Sequence, residues 1–420
     1  MKIIVLFVVA ALCTASVLLA QDARHPNPPT VRVVQGGGPA QDYRQCRSML
    51  VGPNVNQPDP YPGYGGFVGW QSPIVLLDGT MLVGFSSGYW HASPPTAYFA
   101  DDPAAMEKWK KIGMPTDVDA PRGGRAEIIR STDGGKTWSR PTVLLDTPWD
   151  DRAPNFCQLK DGTILCSLFT YPGPTAADLA RDPDKTALTG IIRSFDNGKT
   201  WEQEPKRLPV RFVFDATDGP IVELQDGSAL ICVYGKAVDA QHESVAFCRS
   251  TDGGDTWEFL STVSTDHEMS ETGVAQLLDG RLVLISRPEG DIAWSRDGGR
   301  SWTKPVSFGV RLFEPRLMTL RDGTLLCLHG SYGKGGFRAM LSTDGGQTWV
   351  CPHEKWGFPV DPSVYGYGQA VELSDGSVWA AYIHTGGHST KAARTEALWS
   401  IRLRVRPGHD GVDLLPAPGP

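Results

Sequence analysis

Short apolar runs recur along the chain, each broken by Asp-Gly and resumed on the far side. The break falls at Asp78, Asp161, Asp226, Asp279, Asp322 and Asp375, and residues 274–285 around Asp279-Gly280 show the form. Asp-Gly between such runs is a strong hairpin signal, because glycine takes backbone angles that other residues resist and aspartate bonds its own backbone. Six hairpins are therefore predicted. A second repeat, Ser-x-Asp-x-Gly-x-(Thr/Ser)-Trp, alternates with them at residues 131–138, 194–201, 250–257, 295–302 and 342–349. Its Asp gathers backbone N–H groups in a tight turn, and its Trp has the apolar surface to fill the gap between neighbouring sheets. These residues read as scaffold, not as chemistry.

One hairpin, a loop and a second hairpin closed by the Ser-x-Asp box make a unit of four strands, and such units repeated about an axis make a propeller. A linear solenoid would leave exposed edges and need polar caps at both ends, which the sequence lacks. The expected fold is thus all-β, a six-bladed β-propeller over residues 30–406. The sixth unit has the hairpin at Asp375 but no box, and ends in one strand at 398–405. A ring needs one more strand there, and the β-branched segment 30–34 is expected to supply it. Residues 21–29 read as a linker, and the Pro/Gly-rich tail 407–420 as disordered.

Composition agrees. Gly (47), Pro (33) and Trp (13) are plentiful, a mixture of turns and aromatics that suits strands better than helices. The formal net charge is -7 with both signs interspersed and no basic block, which argues against a nucleic-acid partner. Residues 1–20 have the form of an export signal: Lys2, an apolar stretch from 3 to 13, then small residues up to Ala20. The competing reading, an uncleaved anchor, is weakened by Thr14, Ser16 and the Gln21-Asp22 that follows, and Cys13 lacks the small residue before it that a lipoprotein signal has. The mature chain is expected outside the cytoplasm, with no later membrane span. Of eight cysteines, seven remain after cleavage. Cys157 and Cys166 flank Asp161-Gly162, and a two-residue turn would set them face to face, as a disulfide or as two buried thiols.

Strand geometry locates the chemistry. Side chains alternate between faces, so residues eight before and eight after each Asp lie on one face, at the end away from the turns. If the first strand of each hairpin lines the axis, the residues eight before Asp form a ring: Trp70, Ala153 (with Arg152 beside it), Asp218, Glu271, Glu314 and Tyr367. Polar, acidic and aromatic groups converging on a concavity suit a ligand pocket.

Repeated Asp-boxes on a six-bladed ring resemble the sialidase (neuraminidase) superfamily, over nearly the whole mature chain. The resemblance implies a Glu eight residues before the fourth turn with an Arg sixteen residues after it, and a nucleophilic Tyr eight before the sixth turn. Glu271, Arg287 and Tyr367 stand at those positions. It further implies a glycan substrate, no metal or organic cofactor, and a general acid on the long loop of the first blade, where Asp119 and Asp117 are the nearest carboxylates before the strand leading to Ser131. Sialic acid carries a carboxylate on its anomeric carbon, which repels a carboxylate nucleophile but not a phenol. The phenol, of pKa about 10, then needs a neighbouring base such as Glu271.

The sequence also departs from that family. Gly69 stands where its first-blade arginine belongs, the Asp151-Arg152-Ala153-Pro154 segment has the right form but lies in the second blade, and Arg338 matches a third arginine only with a shifted register. Three functions follow: a hydrolase removing a terminal acidic sugar, a glycosidase of the same fold acting on a uronic or neutral sugar, or a propeller that binds glycans or proteins without turnover. His384 and His388, in His-Thr-Gly-Gly-His, read as a solvated loop and not as a metal site.

Overall fold

The computed structural model describes residues 28–61, 64, 66–88, 107, 124–147, 150–171, 187–217, 219, 221–384 and 396–417. Among them the strands form six sheets, one per predicted blade. The innermost strands are Phe67–Val75, Asp150–Gln158, the pair Phe214–Ala216 and Val222–Glu223, Thr272–Gln276, Leu312–Thr319, and Gly368–Glu372. Each touches the next, and the last touches the first, so the ring closes as a six-bladed β-propeller.

All six hairpins turn in the same way. Leu76, Leu159, Leu224, Leu277, Leu320 and Leu373, each two residues before Asp, donate N–H to the carbonyl four residues on and accept N–H from the glycine. The loop therefore holds three residues, with only the glycine left-handed, at φ between 76° and 94°. The Asp carboxylate accepts the N–H two residues on, at 2.9 Å for Asp78 and Thr80. This extra residue shifts the register by one from that of a two-residue turn. Cys157 lies opposite Leu165, and Cys166 opposite Phe156, on the other face. The two sulfurs are not bonded, and all seven described cysteines are free and buried.

A latch crosses from blade to blade beside these turns. The residue three before one Asp accepts the N–H just before the preceding Asp: Gln158 from Leu77 (2.7 Å), Glu223 from Lys160 (3.0 Å), Gln276 from Gln225 (2.8 Å) and Glu372 from Arg321 (3.0 Å). At the other end, Asp150 accepts from Gly124 and Asp215 from Thr189, again across blades.

The core is a ring of wedges, one hydrophobic cluster at each blade interface. The Asp-box tryptophans sit in them. Trp349 is fully buried and stacks on Phe308 of the preceding blade, and Trp138 stacks on Trp379 across the seam between the sixth blade and the first. The box behind Trp138 is built as its residue types require: Asp133 accepts from Lys136 N–H (3.1 Å), Thr137 N–H (3.0 Å) and Thr137 Oγ1–H (2.6 Å), while Ser131 Oγ accepts Gly135 N–H (2.9 Å).

Two expectations are corrected at the ends of the chain. Segment Thr30–Val33 does not close the sixth blade; it runs parallel to Thr348–Cys351 at the edge of the fifth. The closing strand is Arg47–Val51, antiparallel to Leu398–Val405. The tail is not disordered over its described residues: Val412–Leu415 adds a further strand to the sixth blade. No helix among the described residues is long and apolar enough to cross a membrane. The export signal, Cys13 and residues 21–27 of the linker lie outside the described residues.

Candidate active site

At the end of the axis away from the turns, three inner strands bulge. Their register slips between Gly69 and Ser72, Arg152 and Asn155, and Phe313 and Arg316. The slip is centred on Trp70 (φ 50°), Ala153 (φ 50°) and Glu314 (φ 42°), all left-handed and none a glycine. Such a conformation costs about 1–2 kcal/mol per residue and is held only where the surroundings enforce it. These are three positions of the ring eight residues before Asp, so the strain recurs where strands change direction at the axial mouth.

Glu271 and Tyr367 come together there although 96 residues separate them. Tyr367 Oη donates to Glu271 Oε1 at 2.6 Å. Both are buried, at 4% and 7% exposure. Arg287 follows the end of the partner strand directly and stands opposite Glu271, joined through its backbone N–H to the Glu271 carbonyl at 3.0 Å. Its Nη1 donates to Glu271 Oε1 and, at 3.3 Å, to Tyr367 Oη, and its Nε donates to Tyr332 Oη at 2.8 Å. The second oxygen, Glu271 Oε2, accepts the Glu314 N–H at 2.8 Å. Burial works against the charge of Arg287, but the adjacent Glu271 carboxylate outweighs it and holds the guanidinium firmly protonated. A carboxylate bound by three donors has one orientation, with an oxygen on the phenolic proton.

The phenol is positioned as tightly. Glycines flank it, and a side chain at Gly366 (φ 121°) would press into the Gly330 and Gly336 backbones. The Tyr367 carbonyl accepts Ile383 N–H at 3.0 Å, and its ring stacks on Tyr365 and packs on Phe313, with centroids 5.5 and 5.2 Å away. A cavity of about 490 Å³ opens beside the cluster, lined by Arg287, Tyr332, Tyr234, Glu243, Glu268 and Arg311 among others. Burial and the neighbouring Glu268 push the Glu243 carboxyl up to about 7.

The other ring positions are arranged differently. Arg152 donates through Nε (2.9 Å) and Nη2 (2.6 Å) to Asp150, with its guanidinium near the Trp70 and Phe169 rings. Glu314 is buried, with Gln369 Nε2 3.3 Å from its Oε1. Arg338 is not brought to the cluster: it lies on Phe337–Ser342, farther out in the fifth blade, and donates to the carbonyls of Gly335 (2.7 Å) and Gly357 (3.0 Å). Asp117, Asp119, Asp218 and His388 lie outside the described residues; His384 is described, and its backbone bonds Tyr365 and Ala397. Tyr234, Tyr332, Glu243 and Glu268 had no place in the sequence reading. Tyr234 stands eight residues after Asp226, as Arg287 does after Asp279, so the register rule could have found it.

The model for a BNR repeat-like domain matches residues 126–378. A sialidase of Bacteroides fragilis is 24% identical over 287 residues, covering 55% of this chain, and the chain spans only half of that relative's length. Among solved structures, a protein of unknown function from Dyadobacter fermentans superposes with a TM-score of 0.64 at 22% identity, over 82% of this chain and 97% of its own. The Hadza microbial sialidase Hz136 superposes with a TM-score of 0.57 at 18% identity, over 83% of this chain and 66% of its own. With its repeats, its closed ring and these likenesses, the chain belongs to the BNR-repeat family, on the six-bladed propeller fold of sialidases.

Proposed function

We propose that this chain is an exported glycoside hydrolase that removes a terminal acidic sugar, sialic acid or a related one, from glycans. The hydrogen bond of 2.6 Å between Tyr367 Oη and Glu271 Oε1, beside a cavity lined by Arg287, which touches both, carries the reading. Tyr367 is the nucleophile. As its oxygen bonds to the anomeric carbon, its proton passes to Glu271, and the leaving oxygen takes a proton from Asp119 or Asp117 as its bond to the sugar breaks. Water then attacks the glycosyl-tyrosine, that aspartate removes the water proton, and Glu271 returns its proton to the phenolate. Two displacements retain the anomeric configuration. Arg287 binds the substrate carboxylate and opposes negative charge on the phenol. The sialidase relatives support this reading, and the leader-like segment 1–20 supports export.

The test is turnover of fluorogenic sialosides and uronides, followed by trapping with a fluorinated sialosyl donor and peptide mass analysis. Label on the peptide carrying Tyr367, with turnover lost in Tyr367→Phe, is the expected result. Label on another residue, or a Tyr367→Phe variant that keeps turnover within tenfold, removes the mechanism. Glycan binding with no turnover of any glycoside removes the enzymatic reading altogether.

A second reading, a glycosidase for a neutral sugar, has its own support. Arg287 already serves Glu271 and Tyr332, Arg152 is bound to Asp150 and Arg311 to Glu289, while Glu243 and Glu268 face the cavity as acceptors for sugar hydroxyls. Fluorogenic neutral hexosides in the same panel decide between the two.

A further inference from the structure

The axis has a second end. Where the Asp-Gly turns gather, opposite the tyrosine, the inner strands line an open cavity of about 480 Å³, within the range that takes a small organic molecule. Its wall is largely apolar, with Ile74, Phe156, Ile221, Val274 and Val371 contributed by five different blades. Arg316 lines it as well. Nε of Arg316 donates to the Ala370 carbonyl at 3.2 Å, and among the described residues no carboxylate pairs with its guanidinium. One carboxylate, Glu223, also lines the cavity, and it accepts the Lys160 N–H of the inter-blade latch at 3.0 Å. Burial lowers the Arg316 guanidinium to about 10, so it stays protonated at neutral pH. A guanidinium that no carboxylate pairs directly is costly to hold against a largely apolar wall, and the planar Nη pair is the donor set that fits a carboxylate side-on.

We propose that this cavity is a second binding site, for a small organic monoanion with an apolar body, whose carboxylate sits on Arg316 and whose alkyl or aromatic part lies on the apolar wall. The site is separate from the Tyr367 cluster and does not depend on the glycosidase reading.

Titration calorimetry with octanoate as the probe tests it, with n-octanol, n-octyltrimethylammonium and inorganic phosphate as comparisons. One octanoate is expected per chain, bound at least tenfold more tightly than octanol, with no binding of the ammonium. Arg316→Met should weaken octanoate at least tenfold, to the level of octanol, and Arg316→Lys should lose less. The proposal is overturned if wild-type protein binds octanoate no better than octanol, if Arg316→Met binds it as wild type does, or if phosphate binds and octanoate does not. The octanoate-to-octanol ratio needs only the wild-type chain, so it decides the matter even if the variants fail to fold.

Discussion

Glu271→Gln separates a structural role of the axial cluster from a chemical one. The carboxylate accepts from Tyr367 Oη at 2.6 Å, from Glu314 N–H at 2.8 Å and from Arg287. Glutamine keeps the shape but only one acceptor oxygen, so at least one of these donors meets an NH₂ group and loses its bond, at about 1–3 kcal/mol for a buried group. Arg287 also loses its countercharge. Removing one partner of a fully buried pair costs about 3–5 kcal/mol. The Arg287 side chain is 30% exposed, so water replaces part of that loss. Together these place the destabilisation at about 3 kcal/mol. With an unfolding entropy of about 2 cal/mol/K per residue, that is about 3–4 °C in Tm for a chain of 420 residues. Tyr367→Phe removes one hydroxyl and keeps the ring on Phe313 and Tyr365, so its cost is smaller, about 1–2 kcal/mol. Both variants should lower kcat on the fluorogenic substrate by at least about 10²-fold, the scale of a lost general base or its nucleophile. Urea titration and scanning calorimetry at pH 7 give the stability order, and fluorophore release gives kcat. A Glu271→Gln variant as stable as wild type, or one more stable than Tyr367→Phe, would refute the account of the cluster.

Three further outcomes are expected. Trp349→Ala should destabilise by about 3–5 kcal/mol in urea, because the indole is fully buried on Phe308 and truncation leaves a void at a blade interface. Bonds from Thr200, side chain and backbone, hold the Asp196 carboxyl at about 2, below its unfolded value. Its stabilisation is therefore complete above about pH 4 and lost as pH falls through 2, so the stability gap between wild type and Asp196→Asn should narrow over that window in pH-dependent unfolding. Burial raises Glu127 to about 7, and its Oε2 has no hydrogen-bond partner among the described residues. With the folded value above the unfolded one, stability is full below about pH 4 and is lost as pH rises through 7. Glu127→Gln escapes that loss, so its stability relative to wild type should rise between pH 5 and 8, by on the order of 3 kcal/mol at most; a flat difference would show that Glu127 is not held neutral.

The blade count could be read from the chain because its signals are local. Each Asp-Gly hairpin and each Asp-box satisfies its own backbone within a few residues, so six hairpins and five boxes announce six units wherever they fold. The period of two along a strand likewise put Glu271, Arg287 and Tyr367 at one end of the axis, since alternation follows from backbone geometry alone. The rest depended on contacts between segments far apart in sequence. A single added loop residue moved Cys157 and Cys166 to opposite faces. The closing strand was 47–51 and not 30–34, because both segments are short and extended and only packing against the fifth and sixth blades distinguishes them. Arg338 kept its distance from the site because nearby backbone carbonyls bind it, and Tyr332 reached Arg287 across a blade boundary. The left-handed bulges at Trp70, Ala153 and Glu314 had no signal in their residue types, since none is a glycine. Local hydrogen bonding writes itself into sequence, whereas ring closure and the meeting of a phenol with a carboxylate are decided by which surfaces fit once the blades stand side by side.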